Sequence, residues 1–482
     1  MTGRQRLTLL AAILGSALVS VDSSIVNVAL PAIERDLGGG LAAQQWVSNA
    51  YLLALGSLIL IGGSLGDIFG ERRVFAIGVS AFGVLSVACA LAPTMWALVA
   101  ARACQGAAAA LVTPSSLAVI VAAFGPKQRG AAVGSWTAWG GIAAIAGPLA
   151  GGSIVDHLSW RWVFALNVPL VVATLVLVRA AVPPSARMQG QRVDVIGAGL
   201  GALGLGGLVF ALIEQPHFGW GSPAIYLPLA GGVAALGAFL AFERRTREPL
   251  LKLELFSHPN FAVGNLETLS MYAGLGILFF YLVIYLQQVA GYSAFQSGLA
   301  TLPLTIVMFL LSRRFGALAD RYGPRLFMGA GPFVAAAGLL PLTRLGEHVS
   351  YLTELLPGLL VFSLGLSITV APLTATVLAD ADKGDAGIAS AVNNAVARVA
   401  SLIGVSVVGI VVAGTLVGDT FAANAASVQA FHQVITVCIA LLAAGGLAGA
   451  IGIVDPPKPV EAAGCAGGQL VGAPKPAVAA GA

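Results

Sequence analysis

Charge is what this sequence has least of. Aspartate, glutamate, lysine and arginine make up 10% of its 482 residues, against 58% hydrophobic. An ordinary soluble domain carries about 25% charged residues and uses them to face water around an apolar core. Their scarcity excludes a large soluble protein and points to lipid as the surrounding solvent. Histidine occurs five times and cysteine four, and neither gathers at metal-ligand spacing, so no metal is expected. Cys89, Cys104 and Cys438 lie in apolar runs and read as small core hydrophobes. No basic stripe or RNA-binding motif accompanies the net charge of +4, so no nucleic-acid partner is expected. Two soluble-enzyme patterns occur by letter only. Gly199-x-Gly201-x-x-Gly204 lies inside an apolar run with no strand before it. Gly62-Gly63-Ser64-Leu65-Gly66 has no strand–turn–helix context and no partner histidine. An enzyme and a cofactor are therefore not expected.

Long apolar runs are what the sequence does have. A membrane span needs about 20 mostly apolar residues. Fourteen such runs are predicted, at roughly 7–30, 42–62, 74–93, 95–122, 131–154, 161–181, 195–213, 224–242, 260–286, 296–315, 325–343, 351–373, 387–413 and 430–453. The first run contains Asp22 and lacks a small-residue cleavage site, so it reads as an uncleaved helix rather than a signal peptide. The tail 455–482 is rich in Pro, Ala and Gly and is expected to be disordered. With the N-terminus inside, inside segments hold 20 of the 25 basic residues and outside loops hold 3: Arg35, Arg161 and Arg344. Arg187, Arg192, Arg247, Lys383, Lys458 and Lys475 are among those 20. This bias follows the positive-inside rule and puts both termini in the cytoplasm.

An internal repeat divides the spans. Gly63, Leu65, Asp67, Gly70 and Arg72 recur as Gly316, Leu318, Asp320, Gly323 and Arg325, each offset by 253 residues, in two inside loops. Parallel halves with the substrate path between them are a known transporter plan. The expected segments are an N-terminal six-helix half (1–181), two linker spans with a cytoplasmic loop (182–258), a C-terminal six-helix half (259–454) and the tail.

Charges within spans carry the chemistry. One near the bilayer centre costs at least about 2.5–3.5 kcal/mol on insertion scales, so it faces a cavity or a partner. Asp22 reads as a proton or cation site, or as a packing hydrogen bond to Asn27 or a neighbouring span. Arg102 stays charged and must meet carbonyls, water or a carboxylate; Gln105 and Gly106 follow it on a polar, small-residue face. Glu267 reads as a second proton site, a contact for cationic drugs, or an interfacial carboxylate. Asn393, Asn394 and Arg398 form a polar patch, with Arg398 one turn after Asn394; it lines a cavity or holds helices together. Gly147-Pro148-Leu149-Ala150-Gly151-Gly152 reads as a break in the fifth span, either a gate or a passive kink.

In this order the motifs resemble the major facilitator superfamily, and within it the fourteen-helix drug:H⁺ antiporters. Val21 to Pro31 resembles their first-helix signature, with Val and Ser where Leu and Thr are usual. Gly63 to Arg73 resembles the loop motif between helices two and three, with Ile68 for the usual Arg and Glu71 for a basic residue. Leu98-x-x-x-Arg102-x-x-Gln105-Gly106 resembles the fourth-helix motif. Gly134 to Gly152 resembles the antiporter motif of helix five, with Ala143 for one glycine. Trp160-Arg161-Trp162-Val163-Phe164 to Asn167-Val168-Pro169 resembles the opening of helix six. The resemblance implies an all-α polytopic major facilitator fold in the cell membrane. It implies Arg102 in proton coupling; the residues within spans add Asp22 and Glu267 to that role, and a cavity at Asp22, Gln105, Asn393, Asn394 and Arg398. Gly63, Asp67, Gly70, Arg72, Asp320, Gly323 and Arg325 would latch the halves, and Gly147, Pro148, Gly151 and Gly152 would gate them. The expected partners are the bilayer, protons and a small lipophilic substrate, cationic in one reading, exported by a monomer. Symport of a metabolite and a transporter-like sensor are the alternatives.

Overall fold

The computed structural model describes residues 1–183, 194–246, 249–379, 386–418 and 420–455. The expected disordered tail and the segments holding Arg187, Arg192, Arg247, Lys383, Lys458 and Lys475 lie outside the described residues. Hydrocarbon offers no hydrogen bonds to a backbone, so a spanning chain must satisfy its own. The described residues accordingly form helices and no strands.

Fifteen α-helices succeed one another among the described residues. They are α1 (Gly3–Leu37), α2 (Gly40–Phe69), α3 (Glu71–Ala90), α4 (Met95–Ala123), α5 (Pro126–His157), α6 (Arg161–Ala165), α7 (Asn167–Ala181), α8 (Val195–Phe218), α9 (Pro223–Glu243), α10 (Pro259–Gln288), α11 (Ala294–Tyr322), α12 (Pro324–Leu339), α13 (Leu356–Ala379), α14 (Ala386–Ala413) and α15 (Ala425–Gly452). Side-chain caps start several of them. Thr2 with Gln5 and Ser293 with Gln296 form capping boxes, and Thr94 and Asn424 accept from the first turns of α4 and α15. Proline opens α5, α9, α10 and α12, where no helical donor is lost. Thirteen helices are long and apolar enough to cross a membrane, α6 and α7 counting as one, and α2, bent by 50°, makes the fourteenth. The fourteen predicted spans are all present, several longer than the apolar runs. The expected break in the fifth span is absent: α5 continues through Pro148 as one helix.

Helices α1 to α7 pack as one bundle and α10 to α15 as another. The pair α8–α9 packs on itself and lies against α2 and α14, one helix from each half. The largest buried cluster crosses the seam, joining Ile25 and Val26 of α1 to Met271 and Tyr281 of α10.

The repeat is visible as matched turns. Gly70 (φ 91°) ends α2 and Gly323 (φ 95°) ends α11, each donating its N–H to the carbonyl four residues back. Each repeat arginine then reaches the last turn of the final helix in its own half. Arg72 donates to the Arg179 carbonyl of α7 at 3.3 Å, and Arg325 to the Ala450 carbonyl of α15 at 2.7 Å. A cation suits a helix C-terminus, where carbonyls lack intrahelical donors. Each of these two contacts lies within one half. Glu71, where a basic residue is usual, reaches back to Asp67 across the turn, and Asp320 is exposed.

Backbone with φ 95° and ψ 148° at Gly323 is essentially closed to other residues, and occupying it costs on the order of 1–3 kcal/mol. Gly323→Ala should lower unfolding stability in detergent by that amount. Gly237→Ala, on an exposed face of α9 with open space at its Cβ, should cost nothing.

Candidate functional site

Five helices of the N-terminal half converge on one buried cation. Arg102 of α4 is 1% exposed and cannot shed its charge. Its Nη1 donates to Asp22 Oδ2 of α1 at 2.6 Å and to Gln105 Oε1 at 2.7 Å, and its Nε donates to the Val47 carbonyl of α2 at 3.2 Å. Its guanidinium lies 4.1 Å from the centre of the Tyr51 ring, a cation–π contact. The second oxygen of Asp22 accepts from Gln105 Nε2 at 3.1 Å and from Asn167 Nδ2 of α7 at 2.8 Å. Both amides also donate to Ser86 Oγ of α3. Burying an ion pair is favourable only when the remaining lone pairs and protons are also met, and this network meets those of Asp22.

Beside the network, between the halves, lies a cavity of about 400 Å³, within the size range of small-molecule sites. Ser20, Ser23, Ser24 and Asn27 of α1 line one wall. Their spacing (i, i+3, i+4, i+7) puts them on one helical face, and Asp22 falls on another. Leu275, Phe279 and Phe280 of α10 line the opposite wall. Arg102 belongs to both places: it holds Asp22 and also lines the cavity.

The structure distributes the other expected residues differently. Asp22 and Gln105 are fully buried behind Arg102 rather than lining the cavity. Asn393 is used between helices, donating to Thr268 Oγ1 of α10 at 2.8 Å and to Asn265 Oδ1 at 3.2 Å. Asn394 is exposed and donates to the Ser390 carbonyl of its own helix. Arg398 sits one turn from Ser401, which lines the cavity. Glu267 is also away from the cavity, 0% exposed and packed against Gly445 and Gly449 of α15, with neither carboxyl oxygen hydrogen-bonded.

The glycines of α5 form a seam. A Cβ on Gly147 would strike Ser24, one on Gly151 would strike Ile25, and one on Gly152 would strike the backbone of Ala294 and Phe295 in α11. Pro148 packs against Gly298 of α11 and lines the cavity. Eight residues after Pro148, Asp156 accepts at 2.9 Å from the N–H groups of both Ala294 and Phe295, with one oxygen for each. A carboxylate at a helix N-terminus is favourable. Gln287 Nε2 donates to the Val28 carbonyl, and Gln45 Nε2 to the Val405 carbonyl. These crossings between halves lie at the end of the bundle that carries the α1–α2 loop.

Sequence reading gave no role to Ser86, Asp156 or the serine face of α1, and named Asn167 only within the motif opening helix six. The helical spacing of Ser20, Ser23, Ser24 and Asn27 was a usable signal. Nothing in the sequence brings Asn167 or Ser86 to Asp22.

Comparison with known proteins places this geometry. The family model of the Major Facilitator Superfamily matches residues 12–405. The chain belongs to that superfamily. Similar members include the puromycin resistance protein pur8 of Streptomyces alboniger, 38% identical over 81% of this chain and 78% of that protein. The probable actinorhodin transporter of Streptomyces coelicolor is 34% identical over 84% and 72%. Among solved structures, a bacterial homolog of the human lysosomal transporter Spinster, inward-facing and unoccupied, shares the fold. Its TM-score is 0.68 at 14% identity, covering 94% of this chain and 97% of that one.

Asn167→Leu would leave Asp22 Oδ1 and Ser86 Oγ each one donor short. Each keeps the Gln105 amide, so the loss is two hydrogen bonds at about 0.5–1.5 kcal/mol apiece, and unfolding stability should fall by about 1–3 kcal/mol although the residue becomes more apolar. Asn394→Leu should stay within about 0.5 kcal/mol of the parent, as exposed substitutions generally do.

Proposed function

We propose that the protein is a proton-coupled exporter of lipophilic small molecules, with both termini in the cytoplasm of the cell that carries it. The observation that carries the reading is the double placement of Arg102, which holds Asp22 and lines the cavity. A proton on Asp22 removes the counter-charge of Arg102 and so changes the charge and hydrogen bonding of the cavity wall. Cargo and proton then act on the same group. Relatives named for puromycin resistance, actinorhodin transport and tetracenomycin C export favour the outward direction.

Glu267 is the second coupling candidate. An ionised carboxylate without a partner is costly in an apolar setting, and proton uptake removes that cost. Its contact with Gly445 and Gly449 ties proton occupancy to the packing of α10 on α15. With the N-terminus inside, the α5–α11 seam and the Asp156 contacts close the outer end. The state described is then one in which cargo reaches the cavity from the cytoplasm, and access alternates as the halves rock about it. The repeat arginines keep each half rigid during that motion.

The test uses inverted vesicles with an imposed pH gradient and a panel of dyes and antibiotics active against a pump-deficient host. Substrate should collapse the gradient with the parent protein. Asp22→Asn should lower that rate at least about tenfold, the effect of 1.4 kcal/mol on a barrier, with expression intact. Glu267→Gln should also lower it. Unchanged coupling in both variants would falsify the carboxylate mechanism.

A further inference from the structure

The cavity wall offers no free negative charge, and its one cation is already neutralised by Asp22. Among its lining residues there is no carboxylate, and the only charged side chain is Arg102. The three neighbouring acids are committed elsewhere. Asp22 is sealed behind Arg102 by Gln105 and Asn167, Glu267 packs against α15, and Asp156 caps α11. Of the aromatic rings lining the cavity, Tyr51 is already covered by the Arg102 guanidinium at 4.1 Å.

A second cation lies next to this space. Arg398 is three residues before the cavity-lining Ser401 on α14 and packs beside Gly56 of α2. Its Nε is buried with no hydrogen-bond acceptor. Among the described residues no carboxylate pairs with it. Arg398 is half-buried, a buried N–H without an acceptor is costly, and the planar guanidinium fork matches a carboxylate or similar oxyanion.

We propose that the cargo is an organic acid: a flat aromatic molecule whose carboxylate, sulfonate or phenolate oxygen is taken by Arg398. Its rings lie against Phe279 and Phe280, and its neutral oxygens face the α1 hydroxyls. The inference rests on the cavity being the cargo site of the proposed exporter. It assigns that site a charge sign opposite to that of a cationic drug.

Two dyes with the same tricyclic xanthene ring and opposite charge test this, fluorescein as the anion and rhodamine 6G as the cation. Binding to the purified full chain is followed by fluorescence anisotropy, with no gradient. Fluorescein should bind at least about tenfold more tightly than rhodamine 6G, as one charge-assisted contact provides. Arg398→Gln should erase that preference, and Arg398→Lys should keep most of it. Should Arg398→Gln fail to fold, added salt on the parent protein replaces it, and fluorescein binding alone should weaken. The proposal is overturned by rhodamine 6G binding as tightly as fluorescein, by no fluorescein binding, or by fluorescein affinity unchanged in a folded Arg398→Gln variant or by salt. Acid binding that depends on Arg398 but moves no protons in vesicles would sink the coupling mechanism and leave the cargo class standing.

Discussion

A guanidinium that cannot lose its charge sits inside an apolar bundle at Arg102, and much of the N-terminal half is arranged around that fact. Helix α1 supplies the counter-charge, α2 a carbonyl and an aromatic face, α4 the neighbouring amide, and α3 and α7 the groups that complete Asp22. Removing one partner of a buried ion pair costs several kcal/mol because the other charge is stranded. The same constraint gives the site its chemistry. A charge held this tightly from one side, and bordering a cavity on the other, can report the protonation of its partner to whatever occupies the cavity.

Closure between the halves uses a different physics. Glycines at 147, 151 and 152 let α5 approach α1 and α11 to backbone contact, as small residues do where helices meet in lipid. Asp156 then adds two hydrogen bonds at the first turn of α11. Close packing of this kind is two-valued rather than graded, which suits a seam that must open and reclose. The motif read from the sequence as a break is therefore a contact surface. Pro148 is accommodated in a continuous helix whose neighbours pack against it.

The fold was legible because lipid simplifies the code: twenty apolar residues make a span, and scarce charges mark its ends and its functional interior. The repeat was legible because a positive-φ glycine and a helix-capping arginine are demanded twice, at 70 and 72 and again at 323 and 325. The pairing of Asp22 with Arg102 was one of several options in the sequence, and coordinates were needed to choose it. Polarity within a span does not say which way a side chain points. Asp22 and Ser24 are two residues apart, yet one is sealed in the bundle and the other faces the cavity. Asn393 and Asn394 are adjacent, and one joins helices while the other is exposed.

The central claim is that Asp22 and Arg102 act as one unit. A double-mutant cycle on unfolding stability in detergent tests it most directly, using Asp22→Asn, Arg102→Gln and the two together. Each single change should cost about 3–5 kcal/mol by stranding a charge. The double change should cost less than the sum of the two by more than about 1 kcal/mol, the signature of groups in contact. Strict additivity would contradict the account.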